Sequence, residues 1–116
     1  MVLIQTPQLL NASCLIADGA IVGYAVYFIS YSTWLGKSTF LEDLYVNPEF
    51  RNRGVGKKLF TAVAKQAQAN QSKRLDLHCL SWNNAMNFYK NIGAKNLTEC
   101  EKWNYLRIDG EDLNKL

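Results

Sequence analysis

The stretch TFLEDLYVNPEFRNRGVGKK, residues 39–58, decides the reading of the fold. Thr39–Val46 alternates as a strand does, with Phe40, Glu42, Leu44 and Val46 on one face and Leu41, Asp43 and Tyr45 on the other. Two acids therefore run through an otherwise apolar segment. Asn47-Pro48 ends the strand. From about Gly54 to Asn70 the apolar residues recur at helical spacing, and Leu59, Phe60, Val63, Ala64 and Ala67 share one face. Between strand and helix lies Arg51–Lys58, which gathers Arg51, Arg53, Lys57 and Lys58 around Gly54 and Gly56 with no acid among them.

That junction has the chemistry of an anion site. Backbone amides at a helix start attract negative charge, and glycine lets a ligand approach the backbone closely. Lysines at a helix start oppose the macrodipole, at a cost of about 0.3–1 kcal/mol each, and a bound polyphosphate reverses that sign. The nucleotide-hydrolase loop would need Lys-Ser or Lys-Thr after its last glycine, whereas Gly56 is followed by Lys57-Lys58-Leu59. The dinucleotide fingerprint would need a third glycine where Leu59 stands.

Outward from this junction, Ser13–Ala17 and Ile21–Ser30 read as strands joined by the hairpin turn Asp18-Gly19. Tyr31–Lys37 reads as a loop centred on Trp34 and Gly36. After the long helix come a strand at Leu75–Leu80 and a helix at Asn83–Asn91 closed by Gly93. Lys95–Glu101 and Trp103–Ile108 read as two short strands or a hairpin. The order predicts an α/β (α+β) single domain over residues 1–116 with a mixed sheet, its strand–helix–strand unit a parallel crossover. Residues 1–12 are the least patterned and are expected to be loose.

Composition narrows the function classes. At 116 residues, 48% hydrophobic and 20% charged, the chain can bury a core without staples. No apolar run is long enough for a membrane span, and Met1–Leu10 lacks the features of a signal peptide. Cys14, Cys79 and Cys100 form no CxxC pair, which fits a reduced, cytoplasmic protein. With His78 the only histidine, no metal site is expected. A net charge of +3, with aromatics spread along strands, argues against nucleic acid.

Arg51-Asn-Arg-Gly54-Val-Gly56 fits the coenzyme motif Arg/Gln-x-x-Gly-x-Gly/Ala, and here the sequence resembles the GNAT acetyltransferase superfamily. Trp34-Leu-Gly-Lys37, Leu41–Val46, Asn87-Phe-Tyr-Lys90 and Leu97–Trp103 resemble the diamine acetyltransferases, meaning the spermidine/spermine enzymes and their relatives that act on thialysine. The similarity runs from about Cys14 to Asp109. It implies a GNAT-like mixed central sheet with flanking helices, acetyl-CoA as cosubstrate, a small cationic amine as acceptor and a homodimer. It also implies roles by position. Leu44, Tyr45 and Val46 would hold the pantetheine arm, and Arg51, Asn52, Arg53, Gly54, Val55, Gly56 and Lys57 would wrap the pyrophosphate. Asn83 and Asn84 would touch the coenzyme from the second helix. Tyr89 would be the general acid and Glu42 the base for the amine. Trp34, Glu42, Asp43, Glu101 and Trp103 would face the substrate.

Two departures stand out. Relatives open with a strand and two helices before the equivalent of Cys14, so the fold is expected to be N-terminally truncated. The spacing from Asn83 to Tyr89 is one residue shorter than relatives usually have. A non-catalytic coenzyme-binding or dimerisation module of the same fold is the competing reading.

Overall fold

A computed structural model describes the backbone of Val2–Gln5 and the whole of residues 10–116. The chain forms two compact units, Met1–His78 and Cys79–Leu116. The first carries a five-stranded sheet in sequence order, β1 (Val2–Gln5), β2 (Asn11–Ala17), β3 (Ala20–Ser32), β4 (Gly36–Val46) and β5 (Leu75–Leu77). The first four strands run antiparallel to their neighbours, while β4 and β5 are parallel and joined through helix α1 (Val55–Ala69). The mixed sheet read from the sequence is present. The expectation of a loose start is corrected for Val2–Gln5, which pairs with Asn11–Cys14.

The Asp18-Gly19 hairpin forms as read, with φ 52° at Asp18 and 78° at Gly19, the left-handed pair that a tight two-residue turn requires. The expected loop Tyr31–Lys37 is shorter than the sequence suggested. Tyr31 pairs with Lys37 and Ser32 with Gly36, which leaves only three residues in the turn. The Ser32 hydroxyl accepts the amides of Trp34 and Leu35, both at 3.2 Å, and Gly36 takes φ 92°. These local bonds hold the turn without longer loop residues.

The face alternation of β4 is also corrected. Val26 pairs with Asp43 and Tyr27 with Leu41, so Glu42 is an extra residue, a β-bulge. Beyond it the parity changes. Thr39 and Leu41 share a face with Leu44 and Val46, while Ser38 and Phe40 share one with Asp43 and Tyr45. Ring contacts agree, with Phe28–Phe40 centroids 5.1 Å apart and Tyr24–Tyr45 5.5 Å apart.

Helix α1 covers the first of those faces. Its buried residues Val55, Leu59, Val63 and Ala67 recur every fourth position and pack against β2, β3 and β4. Ala25, Tyr27, Thr39 and Leu41 are buried beneath it. Each buried Leu or Val contributes about 1.5–3 kcal/mol. Gly23 is where helix and sheet come closest: a Cβ there would lie 2.7 Å from the Tyr45 carbonyl oxygen and 3.0 Å from Leu59 Cδ1. The carbonyl belongs to the ladder and cannot step aside. Gly23→Ala is expected to destabilise the fold by about 1–3 kcal/mol, read as a lower urea midpoint at unchanged slope.

The remaining corrections have separate causes. Strand β5 ends at Leu77, not Leu80, because the bulge at Glu42 breaks the ladder after the Leu41–Leu77 pair. In the second unit, α2 (Ala85–Ile92) closes on Gly93 at φ 115°, as read. The expected strand at Lys95–Glu101 is instead the helical turn α3 (Leu97–Cys100), because the Asn96 side chain accepts the amides of Thr98 and Glu99 and caps it. Trp103–Ile108 forms no strand, since a strand needs a ladder partner and none of the described residues supplies one. The helix α4 (Gly110–Asn114) follows. Among the described residues no helix is long and apolar enough to cross a membrane.

Candidate functional site

The first unit holds a continuous path of backbone donors. Strand β5 pairs with β4 only from Thr39 to Leu41. Past the bulge, no described strand pairs with the second edge of β4 from Glu42 to Val46. The direction of each amide there follows from one bond: Asn47 N–H donates to Val22 O at 2.7 Å, toward β3. Alternation then turns the Tyr45 amide toward β3 and those of Leu44 and Val46 toward the open edge. The Val46 carbonyl agrees, because it accepts Arg51 Nε at 2.9 Å from outside the ladder.

Arg51 is thereby tied to the end of β4, with its guanidinium 5.8 Å from the centre of the Tyr45 ring. Asn47 caps a short 3-10 turn, Pro48–Phe50, by accepting the Glu49 amide at 3.1 Å. The Arg53 guanidinium sits 5.5 Å from the centre of the Phe50 ring. Asn52 and Gly54 are both left-handed, at φ 62° and 78°. Left-handed residues alternating with ordinary ones make concave arrangements of amides that favour anions. Gly54 caps α1 without a side-chain bond, and the first turn of α1 contains no acid. The helix start therefore carries positive dipole, exposed Lys57 and Lys58, and no internal counter-charge.

Glu42 is the unpaired bulge residue, exposed, with Asp43 beside it on the face of Tyr45 and Phe40. Bulges re-aim side chains and recur next to active sites. Trp34 stands at the tip of the β3–β4 turn, 93% exposed. His78 is exposed and meets Phe40 edge-on at 4.9 Å.

In the second unit, Tyr89 lies on α2, half-buried, its ring 5.2 Å from that of Phe88. Burial, and after it the nearby Cys79, push its hydroxyl above the usual tyrosine range. The phenol thus keeps its proton through neutral and mildly alkaline pH. Asn83 accepts the Ala85 amide at 2.9 Å and so starts α2, and exposed Asn84 follows it. Glu101 and Trp103 are exposed and flank Lys102, whose φ of 59° turns the chain. Among the described residues no cluster of three or more His, Cys, Asp or Glu could hold a metal ion.

Open strand edge, left-handed glycine turn and uncapped basic helix follow one another along the chain, and the family model "Acetyltransferase (GNAT) family" matches residues 5–94. The chain belongs to the acetyltransferase (GNAT) family. A thialysine N-epsilon-acetyltransferase from Bos taurus is 45% identical over 97 residues, 83% of this GNAT chain and 57% of the relative. The chain thus spans little more than half the length of that curated relative. A spermidine/spermine N(1)-acetyltransferase-like protein from Homo sapiens is 32% identical over 79% of this chain and 13% of its own length. Among solved structures, an integron cassette protein from the mobile metagenome of V. cholerae superposes with a TM-score of 0.83 at 30% identity, over 92% of this chain and 65% of that one.

Sequence reasoning missed two features of this GNAT fold. One is the bulge, whose only signal is the adjacent Glu42-Asp43 pair in an apolar strand. The other is Cys79 as the electrostatic neighbour of Tyr89, for which ten residues of separation in the chain leave no signal at all.

Proposed function

We propose that this chain binds acetyl-CoA along the open edge of β4 and transfers the acetyl group to a primary amine of a small cationic substrate of the polyamine, diamine or thialysine type. The observation that carries the reading is the unpaired β4 edge running directly into the uncapped, acid-free start of α1. A pantetheine arm carries amide groups that can pair with a strand edge as an added strand would. A pyrophosphate suits the amides of Asn52–Lys57 and the lysines beside them. The residues present therefore fit the cosubstrate. The names of the curated relatives, which include thialysine and spermidine/spermine enzymes, support the choice of acceptor.

The side-chain roles are carried over from the family resemblance, and the chemistry suits them. An alkylammonium has a pKa near ~10 and must lose a proton before it can attack. Glu42, on its bulge, takes that proton through water. The freed nitrogen adds to the thioester carbon, and the Leu44 amide polarises the carbonyl oxygen. As the C–S bond breaks, Tyr89 donates its proton to the departing thiolate, whose thiol has a pKa near ~8.5 as a free thiol does. The nitrogen sheds its second proton to water, leaving the neutral amide, and the Tyr89 phenolate regains a proton from solvent. Asp43, Glu101, Trp34 and Trp103 favour a cationic acceptor through charge and aromatic faces.

Thiol release from acetyl-CoA across a panel of amines tests this reading. Spermidine, ornithine or thialysine should give turnover, and neutral alcohols none. Acetyl-CoA binding without release for any amine would contradict the transfer step and leave a coenzyme-binding module.

A further inference from the structure

The open edge of β4 described above begins where β4 and β5 part after Leu41, and one buried polar cluster sits just upstream of that point. Thr39 is 0% exposed and Ser38 1%. A buried hydroxyl is costly unless it is bonded, and both of these are bonded to the α1–β5 connection. Thr39 Oγ1 lies 2.7 Å from Ser72 Oγ, and Asn70 Nδ2 donates to the same Thr39 oxygen at 3.4 Å. Asn70 also accepts the amide of Ser72 at 3.0 Å and its hydroxyl. On the opposite face Ser38 Oγ donates to Asp76 Oδ2 at 3.2 Å, and Asp76 pairs with Arg74 at 2.8 Å. Backbone bonds from Lys73 N to Lys37 O and from Thr39 N to Arg74 O complete the clamp.

Two parts of the coenzyme path hang on this clamp. Strand β5 has only three ladder pairs, Thr39–Leu75 to Leu41–Leu77, so three pairs alone specify its register weakly. Asn70 is the C-cap of α1, whose other end is the Gly54 turn. A rigid helix of fifteen residues transmits the position of one end to the other.

We propose that Thr39, with Asn70 and Ser72, is a positioning cluster that fixes where β5 leaves β4 and where the start of α1 stands, and so sets the acetyl-CoA-binding edge. This rests on the coenzyme-binding reading given above. Thr39→Val keeps the branched shape and removes the hydroxyl. Thr39→Ser keeps the hydroxyl.

The test compares both variants and Ser72→Ala with the parent chain by calorimetric titration of acetyl-CoA, steady-state kinetics and interstrand NOEs between residues 39–41 and 75–77 of the ligand-free protein. Thr39→Val and Ser72→Ala each remove two hydrogen bonds of the cluster and should weaken acetyl-CoA binding about tenfold, with kcat at saturation within about twofold. Their NOE pattern should shift, and Thr39→Ser should restore both binding and pattern. Parent-like binding and NOEs in Thr39→Val would overturn the proposal, as would a Thr39→Ser as defective as Thr39→Val. Should Thr39→Val fail to fold, Ser72→Ala decides by the same readouts. Should the parent chain itself not bind acetyl-CoA, the coenzyme reading fails, and the NOE pattern decides the positioning claim by itself.

Discussion

Tyr89→Phe should lower kcat about 10²–10⁴-fold while leaving acetyl-CoA affinity unchanged, because it removes the proton-donating hydroxyl and keeps the ring. The ring, its place on α2 and its contact with Phe88 are all kept. The pH profile makes the prediction sharper. Burial and Cys79 raise the Tyr89 pKa, so the acid form persists as pH rises through the range where the amine loses its proton. A general acid is lost as pH rises through its own pKa. The alkaline limb of kcat should therefore lie above the ordinary tyrosine value of ~10, and it should vanish in Tyr89→Phe. Steady-state kinetics between neutral pH and the alkaline stability limit measures both effects. Full activity in Tyr89→Phe would take Tyr89 out of the proton-donating role.

Lys57→Glu should produce opposite effects on stability and on binding. In the free protein the substitution places an acid in the first turn of α1, where none now stands. Removing the unfavourable lysine and adding a favourable carboxylate should raise Tm by roughly 2–10 °C. With acetyl-CoA, the same change reverses a charge beside the pyrophosphate and should weaken binding about 10–100-fold. The loss should shrink with added salt, since Lys57 is exposed and its interaction is screened. Thermal melts with and without acetyl-CoA, at two salt concentrations, report all of this. If the lysines were only a solvated face, Tm would rise and affinity would stay where it was.

Much of the fold was legible because local signals agreed with tertiary packing. Asp18-Gly19 dictated its hairpin through backbone conformation. The spacing of Leu59, Val63 and Ala67 marked the buried face of α1, and Gly93 marked the end of α2. The misreadings occur where one residue's pairing overrides alternation. Glu42 looks like any other position in an alternating strand, yet its extra step exchanges the faces on either side and cuts β5 short at Leu77. Asn96 supplies a cap that competes with the strand pattern of Lys95–Glu101. Ser32 tightens a turn that looked like a loop.

The candidate site shows the same division. Gly54 and the basic residues around it are contiguous in sequence and needed no structure to be noticed. The direction of the Leu44, Tyr45 and Val46 amides was beyond the sequence, because it depends on which edge β3 occupies. The reading of three equivalent amides becomes two open ones, Leu44 and Val46, and one turned toward β3, Tyr45. Arg51 likewise gains a defined anchor on the Val46 carbonyl.

Amide hydrogen exchange of the parent chain with and without acetyl-CoA tests the coenzyme-binding edge most directly. The amides of Leu44 and Val46 and those opening α1 at Val55–Lys57 should gain protection on binding, and the Tyr45 amide, already directed into the β3 ladder, should change little. Equal exchange at Leu44 and Val46 with and without saturating acetyl-CoA would contradict the account.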